Sequence, residues 1–281
     1  MNKNEKSPSW ENLTFANNFL FCKILESERE LCRRLLEILL GMEIERLEPV
    51  QSEKTMLETL DSKSVRFDVY TRDDKRIFDI EMQTSARKDL SKRARYYQSV
   101  IDMDNLSGGE NYSSLKDSYI IFLCLEDPFS KELPVYFFEN TCRDDSTIKL
   151  NDCAYKLFFN AGKYDKMESD EAKKLFKFIS GLGAESELTK SIEEKVNFAK
   201  KNMGWRKQYM TWQQTIDEEK ELAFEDGKEA KAVEDAENLL REGLPPEMIA
   251  RCIRLPLERV MQIAETIPAE SIPKKAVLTS I

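Results

Sequence analysis

The chain has 281 residues, 41% of them hydrophobic, and a net charge of −9, which suits one large domain or a core with a smaller appendage and argues against indiscriminate coating of nucleic acid. It holds no histidine, so no Ser-His-Asp or Cys-His nucleophile system and no H-E-x-x-H zinc site can be built. Any hydrolytic chemistry then falls to carboxylates holding a hard cation such as Mg²⁺. The six cysteines are scattered without a C-x-x-C pair, no apolar run reaches membrane-spanning length, and the N-terminus has no apolar secretory segment. The expectation is a cytoplasmic protein in a reducing compartment, with no membrane partner.

Residues 12–40 carry helical periodicity with a break near Glu26. Ser27-x-x-Glu30 has the form of a capping box that restarts the helix, Leu31, Leu35, Ile38 and Leu39 form its apolar stripe, and Gly41 is its natural stop. Residues 44–56 read as a first strand with an irregularity at Pro49. Residues 65–71 and 76–83 read as a second and third strand, joined by a tight turn around Asp73-Asp74. Residues 90–106 form a basic, tyrosine-bearing helix ended by Gly108-Gly109. A buried strand at 119–125 and shorter strands at 135–138 and 154–159 follow. After Gly181-Leu182-Gly183 the composition changes: 185–242 is highly charged and nearly free of Gly and Pro, as long solvated helices are. Gly243-Leu244-Pro245-Pro246 then introduces two short helices ending near Thr266. The order helix, three strands, helix, strand predicts an α/β fold with one mixed sheet over 1–183, a charged helical segment over 184–242, and a short helical tail over 243–281.

Chemistry concentrates in the second and third strands. Val65, Phe67 and Val69 alternate with Arg66, Asp68 and Tyr70, and Phe78, Ile80 and Met82 alternate with Asp79, Glu81 and Gln83. A two-residue turn at Asp74-Lys75 sets Asp68 directly opposite Glu81, whereas a turn at Asp73-Asp74 makes them diagonal neighbours. Either register brings two carboxylates together beside an amide, a repulsion that a shared divalent ion relieves. The plain alternative is an amphipathic hairpin with a solvated polar face. Two features favour the site. The following segment concentrates Arg87, Lys88, Lys92, Arg93 and Arg95 against the single acid Asp89, with Arg93 and Tyr97 one helical turn apart, and Glu37 on the preceding helix offers a third carboxylate.

The stretches S-V-R-F-D-V-Y, F-D-I-E-M-Q-T and R-A-R-Y-Y-Q-S, in this order and spacing, resemble the PD-(D/E)XK nuclease family transposases, relatives of the recombination-promoting nucleases. N-N-F-L-F-C-K, L-L-E-I-L-L-G and Y-I-I-F-L-C-L-E-D-P-F also match, so the resemblance spans about residues 12–181. It implies a restriction-endonuclease-like core and a metal-dependent DNA endonuclease, with Mg²⁺ or Mn²⁺ as cofactor, acting in recombination or transposition of mobile DNA. Carried over, Asp68 and Glu81 are the metal-holding carboxylates and Gln83 stands at the terminal position of the motif. Glu37 corresponds to the acid of the first helix. Arg87, Lys88, Lys92, Arg93, Arg95 and Tyr97 would face DNA. Phe67 stands where the motif name has proline, and Gln83 where it has lysine. An amide orients water but brings no positive charge, which Arg93 could supply instead.

The tail I-A-R-C-I-R-L-P-L-E-R-V is shaped like a helix-turn-helix, yet its second helix would display Glu258, Arg259, Gln262 and Glu265, a poor set for phosphates. Residues 215–281 hold fifteen acids and nine bases, which suits packing or self-association into a homo-oligomer better than reading DNA. Tyr96, Tyr97 and Tyr112 could stack on bases or pack in the core. Besides the endonuclease, the sequence admits a nuclease-fold protein that binds nucleic acid or a partner without cutting, and an interaction protein working through its helical tail.

Overall fold

The computed structural model describes residues 9–56 and 64–267. The N-terminal stretch before Ser9 and the end of the helical tail beyond Ile267 lie outside the described residues. The chain divides into two compact units, 1–206 and 207–281.

The first unit opens with α1 (Asn18–Ser27) and α2 (Arg29–Leu40). Asn17 caps α1 by accepting from the Leu20 amide. The break between the helices falls at Glu28, in a non-helical conformation (φ −124°, ψ 70°), and the capping box expected at Ser27 does not form. Ser27 is still helical, and its hydroxyl donates back to the Ile24 carbonyl at 3.1 Å instead of forward. Gly41 does end α2, at φ 64°, where a left-handed residue costs glycine nothing.

A six-stranded sheet follows in the order β1-β2-β3-β4-β6-β5. It comprises β1 (Gln51–Met56), β2 (Val65–Arg72), β3 (Arg76–Gln83), β4 (Asp117–Cys124), β5 (Val135–Phe138) and β6 (Ala154–Asn160). The first three strands form an antiparallel meander, β3, β4 and β6 are parallel, and β5 closes one edge antiparallel. The expected first strand begins only at Gln51. Residues 44–50 are irregular, because Pro49 cannot donate to a ladder and Glu48 is pinned to the end of β2 through its amide and carbonyl. α3 (Leu90–Asn105) crosses over between β3 and β4, which makes that pair parallel. Its Leu90, Ala94, Tyr97, Val100 and Ile101 join Phe67, Tyr70, Ile120, Phe122 and Phe158 in one apolar cluster. Phe122 lies flat on Phe158, ring centres 5.2 Å apart. α4 (Asp170–Ile179) and α5 (Glu187–Lys201) complete the unit, with α5 packed against α1, α2 and α4. The expectation of a mixed α/β sheet with a helical C-terminal region holds.

The second unit is helical. α6 (Met203–Arg241) crosses the division between the units, and its end packs with α7 (Pro246–Ile253) and α8 (Leu257–Thr266) around Ala236, Leu240, Ile249, Val260 and Ile263. Pro246 opens α7, where its missing N–H has no partner to lose. Between residues 217 and 231 every residue of α6 is exposed, as the charge density predicted. No helix among the described residues is long and apolar enough to cross a membrane.

Leu35 of α2 is wholly buried, whereas Leu222 of α6 is 67% exposed. Urea unfolding should therefore show a destabilisation of about 2–5 kcal/mol for Leu35→Ala and a change within about 0.5 kcal/mol for Leu222→Ala.

Candidate active site

The β2–β3 hairpin turns at Asp74-Lys75. Asp73 donates its amide to the Arg76 carbonyl, and its Oδ1 accepts from the amides of Lys75 and Arg76 at 2.9 and 2.7 Å. That turn gives the pairs Arg72↔Ile77 through Val69↔Ile80, the register in which Asp68 faces Glu81, and excludes the diagonal alternative. The backbone ladder ends at Val69↔Ile80, and two reciprocal bonds take its place. The Asp68 amide donates to Glu81 Oε1 at 2.9 Å, and the Met82 amide donates to Asp68 Oδ2 at 3.1 Å. The carboxylates thus fill the opening where the strands part.

Strict alternation fails at the same point. Val65, Phe67 and Tyr70 all join the cluster under α3, and the rings of Phe67 and Tyr70 lie 5.7 Å apart, although their positions differ by an odd number, three. The pleat shifts between Phe67 and Tyr70, and the neighbouring strand is irregular there too: Glu53, the β1 residue facing Asp68 in register, sits at φ 50°. Asp68 is thereby aimed toward α1, where Asn18 Nδ2 donates to its Oδ1 at 3.0 Å. Glu81 meets α3 instead, with its Oε2 paired to Arg93 Nη2. The single shared face expected from period 2 is replaced by a junction of the two carboxylates across the strand end.

Arg93 ties the rest together. Its Nη1 donates to Gln83 Oε1 at 3.1 Å and its Nε to the Tyr97 hydroxyl at 2.8 Å, while the guanidinium lies over the rings of Tyr97 and Phe122. Gln83 Nε2 donates to the Ser85 carbonyl at 2.6 Å, so both ends of the amide are engaged. The i, i+4 spacing of Arg93 and Tyr97 does place them together, but beside Glu81, with Tyr97 buried rather than displayed for stacking.

Burial dominates the electrostatics. Desolvation, followed by the charge of Asp68, pushes Glu81 up to about 8, and Arg93 pulls the other way. Asp68 is also raised by burial, against the bonds from Asn18 and Met82. Asp79, two residues before Glu81 on the same face of β3, is wholly buried and receives no donor on either oxygen. Burial and then the Glu81 charge raise it well above the usual carboxylate value.

The remaining expected residues lie elsewhere. Glu37 is held by Arg33 Nη1 at 2.5 Å and by the Ile44 amide at 3.0 Å, and it borders a surface hollow with Arg34 and Glu171, so it is not joined to Asp68 or Glu81. Arg87 pairs with Asp89, whereas Lys88, Lys92 and Arg95 are exposed and make no ion pair among the described residues. Tyr112 is 82% exposed. Sequence reasoning missed Asn18 and Asp79. Asn18 stood in the N-N-F-L-F-C-K stretch, and Asp79 in the alternation of the third strand.

Among the described residues no three carboxylate or thiol side chains converge into a cage. Asp68 and Glu81 offer oxygen only, and two carboxylates with the remaining positions left to water or phosphate oxygens suit Mg²⁺, which seldom takes an all-protein cage. Both are at present satisfied by protein donors, so an ion entering here competes with Asn18, Arg93 and two amides. The chain belongs to the PD-(D/E)XK nuclease family transposases, the family pattern matching residues 15–243. No curated protein and no solved structure matches it.

The shift of Glu81 has a definite sign. Below its ordinary value of 4.5 both folded and unfolded chains hold the proton, and between 4.5 and about 8 only the folded chain does. Its contribution to stability therefore falls as pH rises through that window and levels above it, with a slope of at most about 1.4 kcal/mol per pH unit. Urea unfolding at several pH values should show a shallower decline for Glu81→Gln than for the wild type, and parallel profiles would contradict the assignment.

Proposed function

We propose that the chain is a metal-dependent DNA endonuclease whose site is Asp68, Glu81, Gln83 and Arg93, serving recombination or transposition of mobile DNA. The observation that carries this reading is the reciprocal Asp68–Glu81 junction at the parting of β2 and β3, with one half-buried guanidinium against it. A polar face merely exposed to solvent would not be buried under α3, nor would it hold a carboxyl such as Asp79 in the interior. Asp68 and Glu81 would hold Mg²⁺ or Mn²⁺, which, when bound, makes water acidic enough to act as nucleophile and withdraws charge from a phosphoryl oxygen. Arg93 carries the positive charge that lysine would otherwise bring to position 83, and released from Glu81 it can meet charge developing on the phosphate. Gln83 fixes Arg93 through its carbonyl and is itself fixed at Ser85. Lys88, Lys92 and Arg95, exposed around the first turns of α3, are the groups suited to the DNA backbone.

One observation favours a second reading, a nuclease-fold protein that binds nucleic acid without cutting it. All four oxygens of Asp68 and Glu81 already have protein donors, and the Gln83 amide is consumed at both ends. Supercoiled plasmid incubated with Mg²⁺, Mn²⁺ or EDTA separates the two. Metal-dependent nicking by the wild type, lost in Asp68→Ala and reduced about 100-fold or more in Arg93→Ala, is the result expected of the endonuclease. A wild type that binds DNA but never cuts it, beside a Gln83→Lys protein that does, would establish the binder.

Phosphate binding is tested separately by the salt dependence of duplex affinity. Lys92→Ala/Arg95→Ala should lower the slope of log K against log salt by about 0.9 for each phosphate that the variant no longer neutralises. An unchanged slope would remove α3 from the interface.

A further inference from the structure

We propose that Asn18 is a positioning residue that orients the Asp68 carboxylate, and that the Cys22 thiol sets which end of the Asn18 amide faces it. The geometry stands independently of the nuclease reading, while its consequence for metal binding rests on it. Asn18 is the first residue of α1, and its Nδ2 reaches Asp68 Oδ1 at 3.0 Å. With the Met82 amide on Oδ2, both oxygens are fixed in place from two different elements. One turn along α1, Cys22 Sγ donates to Asn18 Oδ1 at 3.4 Å.

An amide has nearly the same shape either way round, so its neighbours decide its orientation. Asp68 can only accept while ionised. A thiol can donate, and Cys22 is kept in that form by burial and by the charges of Asp68, Glu53 and Glu81 around it. The chain of donors therefore runs one way, from Cys22 to Asn18 to Asp68. Reversing the amide would set its oxygen against a carboxylate oxygen and its NH₂ against the thiol, removing one bond and creating a repulsion.

Partners that orient a metal-holding side chain are worth about 10–100-fold in affinity. Calorimetry with Mn²⁺ alone should show a weakening of that size in Asn18→Leu and in Cys22→Val, whereas Cys22→Ser, which keeps a donor, should bind within about 3-fold of the wild type. Mn²⁺ binding to Asn18→Leu or Cys22→Val as tight as to the wild type would overturn the proposal. Asparagine-labelled protein without metal gives a second readout, from the ¹H–¹⁵N signals of the Asn18 side-chain amide. These should be protected from exchange in the wild type and Cys22→Ser, and unprotected in Cys22→Val. Equal protection in all three proteins would remove Cys22 from the arrangement, even if Asn18→Leu failed to fold. A wild type that binds no Mn²⁺ would count against the metal site itself, and the amide signals would then decide the positioning role alone.

Discussion

The contact of the Arg93 guanidinium with the buried Glu81 carboxyl is the constraint around which the first unit is built. Placing a carboxylate in the interior costs several kcal/mol unless a counter-charge and further hydrogen bonds meet it. Arg93 meets it from α3, and this requires α3 to lie across the sheet with Arg93 directed inward. The guanidinium is in turn held by the Tyr97 hydroxyl, the Gln83 carbonyl and two aromatic rings, one of them Phe122 at the centre of the sheet. The crossover from β3 to β4, the position of α3 and the state of Glu81 are therefore one arrangement. Arg93 therefore does not belong to the exposed basic face, on which Lys88, Lys92 and Arg95 lie.

Much of this was legible in the residues. The strands carrying Asp68, Glu81 and Gln83, the crossover helix, the buried strand after it and the change to charged helices all follow from apolar periodicity and turn chemistry. Register was legible only as two alternatives, because Asp73, Asp74 and Lys75 can each sit in a tight turn. What decides is the Asp73 side chain, which accepts from the amides of Lys75 and Arg76 within the turn and draws it to Asp74-Lys75.

What was not legible depends on how elements meet. An alternating strand normally has a wet face, so Asp79, Glu81 and Gln83 read as solvated. In a strand flanked by β2 and a parallel β4 and covered by α3, both faces are buried and the same pattern means the reverse. Glu37 carries the right charge on a helix near the hairpin, but helix rotation is not written in spacing, and Arg33 with the Ile44 amide claims its carboxylate. The α1 residue that does reach Asp68 is an amide, which a search for a third acid passes over. The shift in the pleat beside Asp68 has no sequence signature, since neither glycine nor an inserted residue marks it.

Several of these departures gather beside Asp68 and Glu81. At the strand end a pleat shift, a left-handed Glu53 and three buried carboxyl groups occur together, none of which improves the core. Apolar residues at positions 68, 79 and 81 would close the hairpin ladder and free Arg93 for solvent, and replacing a buried ion pair in that way is often neutral or stabilising. The costlier arrangement is what the proposed metal-holding role asks of these positions. Position 83 fits the same logic: lysine there would be a second cation beside Arg93, competing for Glu81, whereas glutamine leaves one guanidinium against the carboxylates and keeps it in place.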